Sequence, residues 1–212
     1  MSYGYSQVLR SGLIVMAADR CYGQQGFIKG TGQLVYEQYD TIQKIHITKN
    51  KIGITAGGKC YKKTLEYVNE YISNLECKTP LETARCLKSY TLSIDPKAEL
   101  VFAVGGFTDK PELYEVFTTY RGARSKDGIM LVNNGERIAN IATGCAYENF
   151  NTEIIVPNID KIKNFNKRDV IEFIQWSAAQ ARERHDKPER ISKEINILLI
   201  FDDHYEWIGG FK

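Results

Sequence analysis

The sequence predicts an α+β fold, a four-layer αββα sandwich in which two antiparallel sheets lie between helix layers. Strand-like segments come in runs that are interrupted first by two helices and later by one helical region. That order favours helices packed on antiparallel sheets over a parallel βαβ series. Two segments, Leu-Val-Phe-Ala-Val (100–104) and Ile-Leu-Leu-Ile-Phe (197–201), are almost continuously apolar and so expect cover on both faces. The chain has 212 residues, 43% hydrophobic and 25% charged, and no repeat or Pro/Gly-rich linker, which predicts one domain spanning 1–212 with a large core.

Each element has its own signal. Residues 2–9 alternate mildly, Arg10-Ser11-Gly12 makes a turn, and 13–19 (LIVMAAD) runs back, giving a hairpin. A Gly/Gln-rich loop follows at 21–33, long for a connector and therefore a candidate functional loop. Residues 41–58 read as a second hairpin, with Ile45 and Ile47 alternating with polar residues, a turn at Lys49-Asn50-Lys51, and Ile52 and Ile54 on the return.

The period then changes. Within 59–77, Leu65, Val68, Ile72 and Leu75 fall on one helical face. Thr79-Pro80-Leu81-Glu82 announces the next helix: Thr79 as N-cap, Pro80 at the first helical position and Glu82 reaching back to complete a capping box. Strands are expected at 98–107, 112–120, 128–133 and 136–144. A helix over 169–185 carries Val170, Ile174, Ser177 and Ala181 along one face, with Asn166 as its N-cap, and two strands close the chain at 195–203 and 205–211.

Composition removes several classes of function. The net charge is +2 with Lys and Arg scattered, so nucleic-acid binding has no electrostatic support. No apolar run approaches membrane-spanning length and no secretory leader is visible, which leads to the expectation of a cytoplasmic protein. The five cysteines, Cys21, Cys60, Cys77, Cys86 and Cys145, include no CxxC pair, and the histidines His46, His185 and His204 lie far apart. Reduced thiols, and no metal or cofactor, are the resulting expectation.

The segments SGLIVMAADR (11–20), KIGITAGGK (51–59), IATGC (141–145) and RERHDK (182–187) together resemble the proteasome β-subunit and HslV-type peptidases, a branch of the N-terminal-nucleophile hydrolases. The resemblance spans roughly residues 3 to 205 and implies cleavage of peptide or other amide bonds. In that family the first residue of the mature chain attacks and its own α-amine is the base. Such an amine titrates near neutrality without much tuning, around pKa 7.7–8.0. A lysine held by an acid supports it, and a backbone N–H in a glycine turn holds the oxyanion.

Carried over residue by residue, the resemblance implies that Asp19 orients the lysine, that Gly57 holds the oxyanion, that Cys145 stands where a serine supports the amine, and that Asp186 is the acid partnering that serine position. Ser192 is the nearest match to a second supporting serine, several residues late. The nucleophile would be Ser2, freed by removal of Met1, and the lysine Lys44. Both are displaced: an ungapped match through 11–19 sets Tyr3 where the nucleophile belongs, and the lysine is expected at Ile42 or Gln43. Ser2 as nucleophile therefore requires a bulge in 3–9 or a longer turn.

Plainer readings stand beside these. Asp19-Arg20 can be a strand-end salt bridge, Gly57 a turn glycine, Cys145 a packing residue and Lys44 the solvent-facing member of an alternating strand. A catalytically silent protein of the same fold, acting as a structural or assembly subunit, is the alternative function. A cysteine enzyme using Cys21 or Cys145 has no histidine close in sequence to either. By resemblance, a homo-oligomer joined through the helices at 59–77 and 80–92 and an ATP-dependent unfoldase partner are also implied.

Overall fold

The computed structural model describes residues 3–27, 30, 31, 34–39, 42–119, 127–132, 137, 138, 158, 167–184, 188 and 191–209. Two five-stranded antiparallel sheets form the centre. The first has the order β10-β1-β2-β11-β12, built from β1 (Gly4–Val8), β2 (Ile14–Asp19), β10 (Arg137–Ile138), β11 (Ile195–Ile200) and β12 (Tyr205–Ile208). The second has the order β5-β6-β7-β8-β9, from β5 (Ile45–Ile47), β6 (Gly53–Lys59), β7 (Glu99–Phe107), β8 (Pro111–Phe117) and β9 (Ile129–Val132).

Strand alternation sorts the core into three layers. From β2, Ile14, Met16 and Ala18 point between the sheets and meet Ile45, Ala103 and Leu113 of the second sheet. Val15 and Ala17 point the other way, onto Ile174, Ala178 and Ala181 of α3 (Lys167–Glu183). On the far side, α1 (Lys62–Ser73) and α2 (Pro80–Ile94) lay Leu65, Val68, Ile72, Ala84 and Leu87 over Ile54, Leu100, Phe102 and Val104. Helix, sheet, sheet, helix: the αββα sandwich is present. The apolar segments of β7 and β11 are buried on both faces because each strand lies between another sheet and a helix layer.

Three local details differ from expectation. The Gly/Gln-rich segment is not a loop throughout: β3 (Tyr22–Phe27) pairs with β4 (Leu34–Tyr39) from Tyr22 opposite Tyr39 to Phe27 opposite Leu34. This ribbon belongs to neither main sheet. The first helix starts at Lys62 because β6 continues through Lys59, opposite Glu99. At the second, Thr79 Oγ1 accepts from the Glu82 N–H (3.2 Å), but Glu82 returns to the Lys78 N–H (3.0 Å), one residue before the cap. The proposed N-cap Asn166 and residues 139–144 of the expected strand lie outside the described residues.

The sheets approach closely at Gly53, which pairs with Gly105. A Cβ added at Gly53 would sit 2.5 Å from Ile200 Cδ1 and 2.6 Å from Met16 Sδ, both from the facing sheet. Gly53→Ala is expected to cost about 1–3 kcal/mol by overpacking. Urea denaturation of the variant reads this directly, and an unchanged midpoint would mean the sheets have room to spare.

Candidate active site

The site grows from the open end of the first hairpin. The β1–β2 ladder runs unbroken from Val8 opposite Ile14 to Gly4 opposite Ala18, and the Asp19 N–H extends it by donating to the Tyr3 carbonyl (3.0 Å). The ladder contains no bulge, so the register sets Tyr3 opposite Asp19.

Asp19 is fully buried and collects four donors. Oδ1 accepts from the Tyr3 N–H (2.9 Å) and from Lys44 Nζ (2.7 Å); Oδ2 accepts from the N–H groups of Cys21 (3.2 Å) and Ser192 (3.3 Å). Four donors fill the lone-pair capacity of a carboxylate. Lys44 arrives from the other sheet, just before β5, and also donates to the Cys21 carbonyl. Only 3% of its side chain is exposed, which overturns the solvent-facing reading of this lysine. The ion pair thus joins the two sheets inside the protein. Arg20 pairs with Glu194 (2.8 Å).

The positions where the resemblance expected the lysine are otherwise engaged. Ile42 packs against the layer beneath α1 and α2, and Gln43 Nε2 donates to the Ile45 carbonyl. Alternation had set Lys44 on the outer side of its strand, but it lies at the strand's start, where the side chain reaches the neighbouring sheet.

Tyr3 turns its ring toward α3. Its hydroxyl lies 2.6 Å from Ser177 Oγ, which itself donates to the Ile174 carbonyl (3.0 Å). Burial pushes the phenol well above its ordinary range, against a smaller pull from Ser177. Ser177 was visible in the sequence only as a polar member of an apolar stripe; such a hydroxyl must find a buried partner, and Tyr3 is that partner. Tyr3→Phe is expected to cost about 1 kcal/mol and Ser177→Ala about 1–3 kcal/mol, because the serine variant leaves the phenol hydroxyl without its short bond. Denaturant midpoints of the two variants check the order; the reverse ranking would mean that Tyr3 does not depend on Ser177.

Gly57 lies within β6, opposite Val101. The Ala56 N–H donates to the Lys44 carbonyl on the β5 side, and the Leu100 carbonyl accepts from Thr118 on the β8 side. Strand alternation therefore turns the Gly57 N–H toward Val101, into the ladder, and the Gly58 N–H toward the side that β5 leaves open. Glycine is also demanded at Gly58, not at Gly57. Gly58 has φ +120°, and a Cβ there would lie 2.2 Å from the Glu99 carbonyl oxygen, whereas one at Gly57 would meet nothing within 4 Å. Ser2, Cys145 and Asp186 lie outside the described residues. Ser192 contributes its backbone N–H to Asp19, while its hydroxyl accepts from the Glu194 N–H (3.2 Å). Among the described residues, no three His, Cys, Asp or Glu side chains gather as metal ligands would. No helix among them is long and apolar enough to cross a membrane.

No family model matches the sequence, and no curated protein matches it. Among solved structures, the Anbu (Gly-1) mutant from Hyphomicrobium sp. strain MC1 superposes with a TM-score of 0.61 over 99% of this chain and 88% of that one, at 13% identity. The chain shares the fold of this structure. The narrower resemblance to the proteasome β-subunit and HslV-type peptidases is corrected by this match, which is to Anbu and not to HslV. At 13% identity the likeness carries the architecture alone. The unfoldase partner rested on the HslV-type resemblance, and no described residue supports it independently.

Proposed function

We propose that the protein is an N-terminal-nucleophile hydrolase that cleaves peptide or other amide bonds, with Ser2 as nucleophile once Met1 is removed. One observation carries this reading: the buried Lys44–Asp19 pair accepts, on Asp19 Oδ1, the amide N–H that joins Tyr3 to Ser2. A buried ion pair returns little net stability for its desolvation, so one built at the start of a strand is better accounted for by chemistry than by packing.

In this mechanism the α-amine of Ser2 takes the hydroxyl proton as Ser2 Oγ attacks the amide carbonyl. The ammonium of Lys44, held by Asp19, favours the developing serine alkoxide. The Gly58 N–H, on the open side of the Gly57-Gly58 segment, stabilises the oxyanion. The amine then protonates the leaving group, and water releases the acyl group from Ser2 by the reverse proton path. Cys145 and Asp186 are proposed to steady the amine. A cytoplasmic location and a homo-oligomer joined through α1 and α2 complete the proposal.

The unbroken register that sets Tyr3 opposite Asp19 favours a second reading, a catalytically silent structural or assembly subunit of the same fold. Intact mass and a panel of fluorogenic peptides separate the two. Loss of one methionine, with hydrolysis that falls at least about a thousandfold in Ser2→Ala, is the expected outcome. A retained Met1 with no hydrolysis would establish the silent reading, and activity untouched by Ser2→Ala would remove Ser2 as the nucleophile.

A further inference from the structure

The short segment that presents Lys44 is held from three directions. Gln43, Lys44 and Ile45 lead into β5, and the carbonyl of each accepts from a different source. The Lys44 carbonyl takes the Ala56 N–H of β6 (3.0 Å), and the Ile45 carbonyl takes Gln43 Nε2 (2.9 Å). The Gln43 carbonyl takes Asn69 Nδ2 of α1 (3.3 Å). Of these three bonds, the last alone reaches down from the helix layer.

Packing alone does not call for asparagine at this place. Val68 and Ile72, close by on α1, are buried over the second sheet. Asn69 Oδ1 is buried too, and it finds no hydrogen-bond partner among the described residues. An orphaned buried acceptor is destabilising, and an apolar side chain of the same size would leave none. What the amide adds is its N–H to the Gln43 carbonyl. That carbonyl shares a rigid peptide plane with the Lys44 nitrogen, so holding it fixes the direction in which the Lys44 side chain leaves the backbone. By standard bond lengths an extended lysine ammonium lies about 6 Å from its Cα, and a turn of about 15° there carries it about 1.5 Å. Such a shift is enough to part it from Asp19 Oδ1, 2.7 Å away.

We propose that Asn69 is a positioning residue: through the Gln43 carbonyl it aims the Lys44 ammonium at Asp19 and at the attacking serine oxygen. The inference rests on the hydrolytic reading of Ser2 and Lys44 and adds to it a residue from the helix layer. Asn69 bonds the backbone of Gln43 and acts through the placement of a charge. Misplacing a catalytic group by about 1 Å can cost about a hundredfold in rate. Because the ammonium favours the developing alkoxide and not the bound substrate, the loss falls on kcat and leaves KM in place.

The test compares the full chain with Asn69→Leu, which keeps the size of the side chain and removes its donor, and with Asn69→Ala, which removes the donor and adds no bulk. Acetylation of the native proteins, read by mass spectrometry, gives the rate at Lys44 relative to Lys62, whose side chain is 41% exposed. Lys44, only 3% exposed, is expected to label at least about tenfold faster in both variants than in the wild type, with the urea midpoint of Asn69→Leu no lower. In the peptide assay, kcat should fall at least about tenfold in both variants at constant KM. A wild type without hydrolysis overturns the reading of Ser2, and the labelling ratio then decides by itself whether Asn69 places Lys44. Equal labelling of Lys44 in wild type and variants, a kcat that the variants leave unchanged, or a rise in KM alone would each overturn the proposal.

Discussion

Lys44→Met is expected to lower the unfolding free energy by about 3–5 kcal/mol at pH 7, because it leaves the Asp19 carboxylate buried with no counter-charge. Asp19→Asn removes the charge from the other side and strands the ammonium of Lys44 in the same place. The double variant should lose much less than the sum of the singles, since replacing both charges removes the need for either. A coupling energy of at least about 1 kcal/mol in the double-mutant cycle is the expected reading. Strictly additive effects, each below about 1 kcal/mol, would show that water reaches the pair and that its burial means little. The same three variants bear on function: under the proposed mechanism each should also lose hydrolysis, even under conditions where it remains folded.

The second large effect is on acid stability and comes from His46. This residue lies on β5, only 7% exposed, with its side chain near Asn69 of α1. Burial lowers its pKa to about 4, outweighing smaller upward pulls from the Gln43 backbone and Asn69. Its Nε2 finds no hydrogen-bond partner among the described residues, so the neutral imidazole is the form that the interior accepts. The unfolded chain, with an ordinary histidine pKa near 6.5, binds a proton that the folded chain refuses. Stability is therefore full above about pH 6.5 and is lost as pH falls toward about 4, by up to about 3 kcal/mol. Urea titrations at a series of pH values, compared between wild type and His46→Gln, isolate this contribution. The variant should show a flatter profile over that window, and parallel profiles would assign the acid sensitivity to other groups.

Much of the architecture was legible from residue patterns because periodicity and caps act locally. The apolar run of 13–19 behind its Ser-Gly turn, the Thr79 cap and the stripe on α3 each predict an element without knowledge of its neighbours. The ribbon β3–β4 escaped because Tyr-Gly-Gln-Gln-Gly-Phe carries no apolar alternation, and a backbone ladder needs none. The site was legible only in part. Asp19 stood out as an acid ending an apolar strand, yet alternation alone pointed Lys44 toward solvent, and only the second sheet's position explains where its ammonium goes. Cys21 and Ser192 reach Asp19 through backbone N–H groups, which every non-proline residue has and which therefore leave no trace in a sequence.

The amide of Ser192 has a bearing on timing. It lies 173 residues downstream of the carboxylate it serves, and β11, which flanks β2 on the side away from β1, follows directly after it. During synthesis the opening hairpin leaves the ribosome long before that flank exists, so Asp19 at first faces water. Contacts so distant along a chain close late in folding. Any hydrolytic centre built here would stay unassembled on the growing polypeptide, which is thereby shielded from its own chemistry until the last strands dock.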